Sequence, residues 1–486
     1  MVEIKENERN KNAVTMASVR RWVLILSIFG QFMVPFDGSV VNLAIKSIGV
    51  ELGGSISTLS WIITGYLIVV ATLNLVTGRL ADIRGRKNTY VWGIVIFTIA
   101  SALCGLAPSV DVLIITRMVQ AVGGSFLAGN GIALLSTFYP QGERGRALGI
   151  STAALYTGLS AGPSLGGFLI QFFGWRSIFY VNVPIGIVVL LIALLKIRGE
   201  LPMGKLERFD VRGAVIYGTA IFASLLGISY LGTLFDYALP ILIFGLATLA
   251  AFVFLETRTE HPLLDLKLFV KNHHFTLTIT TTFLNYASTY GIAYIMSLYL
   301  QLGLGYSPAY AGLILLAQPV LMVISSPFGG YLSDRVEPRY QTTAALALMC
   351  MAIIGLSTLN LNSTPADIVI RLIFLGLGYG FFSSANTNAL VGAVQKAQYG
   401  VASGIQATMR NTGQAISLAL VTYLLSTTLR ENASSGSATL QSIPPSLLVS
   451  GVRITLIVLA IINGVGILTS LSRGKRTITA ESQPSG

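Results

Sequence analysis

The chain has 486 residues, 53% of them hydrophobic and only 11% charged, with a formal net charge of +12. Soluble domains carry about 25% charged residues, so this composition and a mean hydropathy of +0.72 exclude a soluble globular protein and point to a multi-span integral membrane protein. The basic residues fall in short clusters between apolar runs, which excludes a nucleic-acid patch, and two cysteines with three unpaired histidines provide neither a disulfide framework nor zinc-ligand spacing.

A polar, basic tail (1–21) leads into fourteen apolar stretches, predicted at 22–44, 58–78, 89–107, 112–137, 147–171, 178–196, 211–230, 236–255, 275–300, 310–332, 341–360, 366–392, 402–428 and 452–472. Each is long and continuously apolar, so helices and not barrel strands are expected. The first run is too long for the apolar core of a signal peptide and reads as an uncleaved span. Of the 32 Lys and Arg residues, 25 fall in the tails and alternate loops. Only Lys46, Arg176, Arg430 and Arg453 fall on the other side. This bias predicts cytoplasmic termini and a plasma (inner) membrane location.

Span 1 carries Asp37. It lies about 15 residues in, roughly 22 Å along a helix and past the midplane, where a charge costs on the order of 3 kcal/mol. A carboxyl there can load a proton and lose it to a cationic substrate or a nearby arginine. Pro35-Phe36-Asp37-Gly38 also reads as a turn, in which case Asp37 caps a broken helix. Span 2 ends in Gly78-Arg-Leu-Ala-Asp82-Ile-Arg84-Gly85-Arg86-Lys87. There Asp82 can latch a gate by pairing with loop arginines or a helix N-terminus, or the loop is simply a positive-inside loop.

Span 4 holds Arg117, placed in its cytoplasmic or middle third, with Gln120 one turn on. The guanidinium needs an acceptor in hydrocarbon; it either tunes Asp37 or bonds to carbonyls at a kink. Gly158, Gly162 and Gly166 make a smooth strip on span 5 beside Pro163, suited to close or sliding helix contact. Later in the chain, Gly329-Gly330-Tyr-Leu-Ser-Asp334-Arg335 repeats the loop after span 2. Arg371 follows Asp334 by 37 residues as Arg117 follows Asp82 by 35. Two related six-helix halves are therefore expected (22–196 and 273–472), with a 197–272 linker holding two extra spans and a C-terminal tail at 473–486. Arg371, Arg410, Asn386, Asn388, Asn411 and Gln414 either line a substrate path or bond between helices. Tyr66 and Tyr290 are cavity candidates, although Tyr near span ends also anchors at the interface.

These segments resemble the major facilitator superfamily. The Gly78–Lys87 loop is similar to its cytoplasmic loop signature. Arg117-Met-Val-Gln120-Ala121 is similar to its fourth-span Arg-x-x-Gln-Gly motif, with Ala121 in place of Gly. Gly158, Gly162, Pro163, Gly166 and Gly167 resemble the fifth-span antiporter motif. Asp37-Gly-Ser39-Val-Val-Asn42-Leu-Ala44 resembles the first-span signature of the fourteen-span drug:proton antiporters, with Ser39 in place of Thr. The resemblance implies an all-α integral membrane protein of the major facilitator fold: two six-helix pseudo-symmetric bundles plus a two-helix insert, fourteen transmembrane helices in all.

It further implies proton-coupled export of amphipathic or cationic compounds by alternating access. Asp37 would carry the proton and Arg117 would tune it, Gln120, Tyr66, Tyr290, Asn386 and Asn411 would line the cavity, and Gly78, Asp82, Arg86 and Asp334 would form the gate. The second membrane acid that some such pumps carry in span 13 is missing, since Arg410 and Asn411 stand there. No triad and no Gly-Lys-Ser/Thr phosphate loop occurs, so an ion gradient, not a cofactor or ATP, is the expected energy source and no enzyme is expected. The expected partners are substrates, protons and membrane lipids, with no nucleic acid, in a monomer. A dedicated exporter of one metabolite or lipid-like molecule is the alternative, and a membrane sensor or enzyme on this scaffold is a second.

Overall fold

The computed structural model describes the backbone of residues 2–139, 141–196, 210–231, 235–259, 269–270, 272–333, 335–394, 399–431 and 444–474. Among these residues the structure is helical throughout, with no strand. The N-terminal half comprises α1 (Val2–Leu52), α2 (Ile56–Arg84), α3 (Arg86–Gly105), α4 (Val110–Phe138), α5 (Gln141–Phe173), the short α6 (Ser177–Tyr180) and α7 (Asn182–Lys196). Then come α8 (Val211–Tyr230) and α9 (Phe235–Glu256). The C-terminal half comprises α10 (His273–Leu298), continued by a π turn at Tyr299–Gly303, α11 (Pro308–Leu315), α12 (Ala317–Ser333), α13 (Pro338–Ser357), α14 (Pro365–Gly392), α15 (Tyr399–Glu431) and α16 (Pro445–Leu471).

Eleven helical stretches among the described residues are long and apolar enough to cross a membrane. α5, α10 and α15 have the length but trade aliphatic side chains for Gly, Ser, Thr and Asn. Among the described residues α10 and α15 expose no large apolar side chain, so helix neighbours take the place of lipid there, whereas α5 exposes Leu165, Phe168, Phe172 and Phe173 and packs its glycine face against other helices. An even number of spans puts the start of the first and the end of the last on one side, and four of the described turns at the opposite end are short and capped. Ser55 accepts from Thr58 N, Ser109 from Val112 N and Ser307 from Tyr310 N. Thr364 and Asp367 form a capping box. Each cap satisfies an amide that has no partner in its own helix. At the termini side, Gly85 joins α2 to α3 in one residue at φ 91°, a conformation that strains any residue with a Cβ.

The two halves pack alike. In the first, α1 packs on α5, α2 and α3 on α4, and α3 on α7; in the second, α10 packs on α15, α12 and α13 on α14, and α13 on α16. The expected repeat is thus present as a repeated pattern of helix pairs. The halves meet where α2 lies on α15 and α5 on α11 and α12. α8 leans on both α2 and α15, and α9 packs on α8, so the extra pair straddles one seam.

Two expected spans are divided. Span 178–196 breaks at Val181 and span 310–332 at Leu316. In each case a proline follows three residues later, Pro184 and Pro319, and removes the amide that would continue the ladder. Pro35 does not have this effect: α1 runs through Pro35 and Gly38 as one helix. Asp37 is therefore not a cap on a broken helix.

The end of the bundle away from the termini is sealed between halves by hydrogen bonds. Lys46 Nζ donates to Gln301 O at 2.9 Å, Ser297 Oγ to Asn42 O at 2.8 Å and Gln301 Nε2 to Leu43 O at 3.1 Å. The π turn carries Gln301 into this junction, as π turns often do at functional positions.

Candidate functional site

Asp37 is wholly buried on α1 and faces three donors. Arg117 Nη1 of α4 pairs with Asp37 Oδ2 at 2.5 Å. Gln120 Nε2 and Asn182 Nδ2 donate to Asp37 Oδ1 at 3.1 and 2.9 Å. The same Arg117 Nη1 also donates to Gln120 Oε1 at 2.5 Å, while Arg117 Nε donates to Ile62 O at 3.4 Å. The guanidinium lies 4.3 Å from the Tyr66 ring centroid and 5.6 Å from that of Phe179, where the ring faces stabilise a cation that water cannot reach. Ser101 Oγ anchors the network from α3 by accepting from Gln120 Nε2 at 2.7 Å. α1, α3, α4 and the start of α7 thus converge on one carboxylate.

Oδ1 of Asp37 accepts two hydrogen bonds and Oδ2 one, so Oδ2 keeps a lone pair on which a proton can sit, and neutralising the carboxylate there weakens its hold on Arg117. Arg117 Nη1 already donates to a second acceptor, Gln120 Oε1. Arg117 Nη2, Asn182 Oδ1 and the Tyr66 hydroxyl are buried without a partner, so the network has spare donors and acceptors for rearrangement. Tyr290 of α10 lies within electrostatic range of both Asp37 and Arg117, which brings the C-terminal half to the same place.

Several expected positions move. Arg117 is not in the cytoplasmic or middle third of its helix. α4 starts at Val110, so Arg117 sits about two turns from the end away from the termini, at the level of Asp37. Gln120 does not line a cavity; it is wholly buried inside the Asp37 network. Arg371 is not a second Arg117. It is part-exposed near the start of α14 and donates to Asp367 O at 3.0 Å. Asn386 is also no cavity residue: it bonds Thr282 Oγ1 and Arg473 Nη2, each at 2.7 Å. Asn388 bonds Ser333, and Asn411 is buried on α15. Tyr66 is buried beneath Arg117, and Tyr290 is part-exposed. Gly78 has open space where a Cβ would lie, and Arg86 is part-exposed. The side chain of Asp82 and all of Asp334 lie outside the described residues.

The glycine strip holds the site helix. A Cβ at Gly158 would meet Phe32 O, one at Gly162 would meet Ser39 Oγ, and one at Gly166 would meet the Val40 side chain. On its other side α5 touches α11, with Gly167 against Pro308 O and Gly312 against Pro163 O. One helix therefore contacts both the Asp37 helix and the opposite half. Sequence reasoning missed Asn182, Ser101 and Phe179. Asn182 was the detectable one, an amide at the mouth of a strongly apolar span two residues before a proline.

Beyond α16, Arg473 is buried with Nε and Nη1 unpartnered, and burial pushes its guanidinium down to about 9. A base whose folded pKa lies below its unfolded value opposes folding in full below about pH 9, and the penalty fades only gradually as pH rises from there toward its unfolded pKa. Asn386→Leu would remove its one side-chain acceptor and is expected to destabilise by about 2 kcal/mol. Adding Arg473→Met should recover most of that loss in a detergent melting assay at pH 7, and no recovery would mean that another charge holds Arg473.

Comparison with known proteins finds a match to the Major Facilitator Superfamily over residues 27–418. The chain is 31% identical over 417 residues to the riboflavin transporter RibZ of Clostridioides difficile, covering 85% of this chain and 90% of the relative. It is 32% identical over 409 residues to the multidrug resistance protein Stp of Mycobacterium tuberculosis, covering 83% and 75%. Among solved structures, a bacterial homologue of the human lysosomal transporter Spinster, inward-facing and occupied, aligns with a TM-score of 0.71 at 15% identity, covering 96% of this chain and 99% of that one.

Proposed function

The chain belongs to the Major Facilitator Superfamily, a multi-pass membrane transporter, and we propose that it works as a proton-coupled exporter of amphipathic compounds by alternating access, in the manner of the fourteen-span drug:proton antiporters. The observation that carries this is the Asp37–Arg117 pair: the one acid lying mid-span in the sequence, wholly buried, beside the seam between halves. In the cycle, a proton reaching Asp37 frees Arg117 to turn fully to Gln120 Oε1, and substrate arrival or departure in the adjacent cavity reverses the exchange. The two ligands are then linked through one carboxylate, so each weakens the other by the same factor. Relatives named as a multidrug resistance protein and as a tetracenomycin C resistance and export protein support export of diverse compounds. The relative named as a riboflavin transporter supports the second reading, one dedicated metabolite. The loop charges favour a plasma (inner) membrane with cytoplasmic termini, and the two halves with their insert favour the boundaries 22–196, 197–272 and 273–472.

The test is flux in proteoliposomes carrying an imposed pH gradient. Dye export should run with the gradient, stop when a protonophore collapses it, and be matched by proton counterflow recorded with a pH-sensitive dye. Export that ignores the protonophore would sink the coupling.

A further inference from the structure

We propose that the central cavity selects planar aromatic substrates that carry negative charge or none, and disfavours cations; this rests on reading the space between the halves as the transport path. Tyr286 and Tyr290 stand one turn apart on α10, about 6 Å in rise. Tyr290 lies within electrostatic range of the Asp37–Arg117 pair. Tyr286 makes an edge-to-face contact with Tyr379 of α14 at 5.7 Å between centroids. Tyr156 of α5 joins them from the other half and shares a hydrogen bond with Ser383 Oγ at 3.0 Å. Arg410 of α15 lies within electrostatic range of Tyr156 and Tyr379. All four tyrosines and Arg410 are part-exposed although both halves surround them, so they line an opening and are not packed away.

The charge count decides what fits. Asp37 and Arg117 cancel each other. Every other Asp and Glu lies in a tail, in a loop or within a few residues of a helix end. Arg410 has no carboxylate partner among the described residues, which leaves the cavity with one uncompensated positive charge. Four tyrosine rings alone would make a cage attractive to a cation. A guanidinium beside them reverses that, because it repels cations, stacks on flat π systems, and offers a planar fork to a carboxylate or phenolate.

The test uses two dyes that share one xanthene ring system and differ in charge: fluorescein, anionic at pH 8, and rhodamine 6G, cationic. Binding to purified full-length protein is read by fluorescence anisotropy. The native protein should bind fluorescein about tenfold tighter or more, Arg410→Lys should keep part of that preference, and Arg410→Gln should level it to within twofold or reverse it. The inference is overturned if the native protein prefers rhodamine 6G, if it binds neither dye, or if Arg410→Gln leaves the preference unchanged. Flux on the same preparations is read separately. Binding selectivity with gradient-independent flux counts against proton coupling alone, and gradient-driven flux with rhodamine preferred counts against this inference alone.

Discussion

Asp37→Asn is expected to reduce gradient-driven export at least about 100-fold, within the range for losing a positioned proton carrier, while the protein still folds. Asn keeps the size of the side chain and an oxygen for Gln120 and Asn182, but it cannot ionise, so no proton is exchanged against Arg117. Removing one partner of a buried ion pair costs about 3–5 kcal/mol when the other is stranded. Here the loss should sit at the low end of that range. Gln120 Oε1, Ile62 O and the Tyr66 face still hold the guanidinium. The double variant Asp37→Asn/Arg117→Gln removes the stranded charge as well. It should melt closer to the native protein than Asp37→Asn does, yet export no better. That split separates the pair's structural role from its transport role in one cycle. Export by Asp37→Asn within threefold of native would refute the proton role outright.

Gly162→Leu should arrest transport and lower the melting midpoint, with Gly162→Ala intermediate. The first added carbon would already collide with Ser39 Oγ and press on Phe36 O of α1. Overpacking of this kind costs about 1–3 kcal/mol per site, and here it pushes against the helix that presents Asp37. Ser39→Gly removes the colliding atom, so Gly162→Ala/Ser39→Gly should regain much of what Gly162→Ala loses. Gly78→Ala is the contrasting case: open space surrounds that position, and its effect should stay within about 0.5 kcal/mol. If Gly162→Ala melts like Gly78→Ala and exports like the native protein, α5 does not seat the site helix as described.

The helices were legible because a bilayer imposes a minimum length on an apolar run, and each of the fourteen predicted spans falls on described helix. Their breaks were not. Val181 and Leu316 lie inside apolar runs, and only the prolines three residues on record the interruption. Asp37, Arg117 and Gln120 were readable one by one, since each is a polar group where hydrocarbon is expected. What joined them to Asn182 and Ser101 is packing between helices far apart in sequence, which spacing along the chain does not encode. The loop repeat also misled at one place. It correctly implied paired halves, yet it matched Arg371 to Arg117, because equal distance from a landmark gives a helix but not the depth or the face of a residue. The buried ion pair sits in one half, and the C-terminal half offers the neutral cluster of Asn285, Ser288 and Asn463 instead.

The junction of Lys46, Asn42 and Leu43 with Ser297 and Gln301 joins no two opposite charges; in each of its bonds that crosses between the halves the acceptor is a main-chain oxygen. Such a clasp has no anionic side chain to screen, so its hold should vary little between dilute buffer and concentrated salt. Its acceptors also recur at every residue along the helix, so the donors can find fresh oxygens after a slip of one turn. Breaking these bonds would strand no buried acid, so parting the two halves at this end should cost only hydrogen bonds that water can replace.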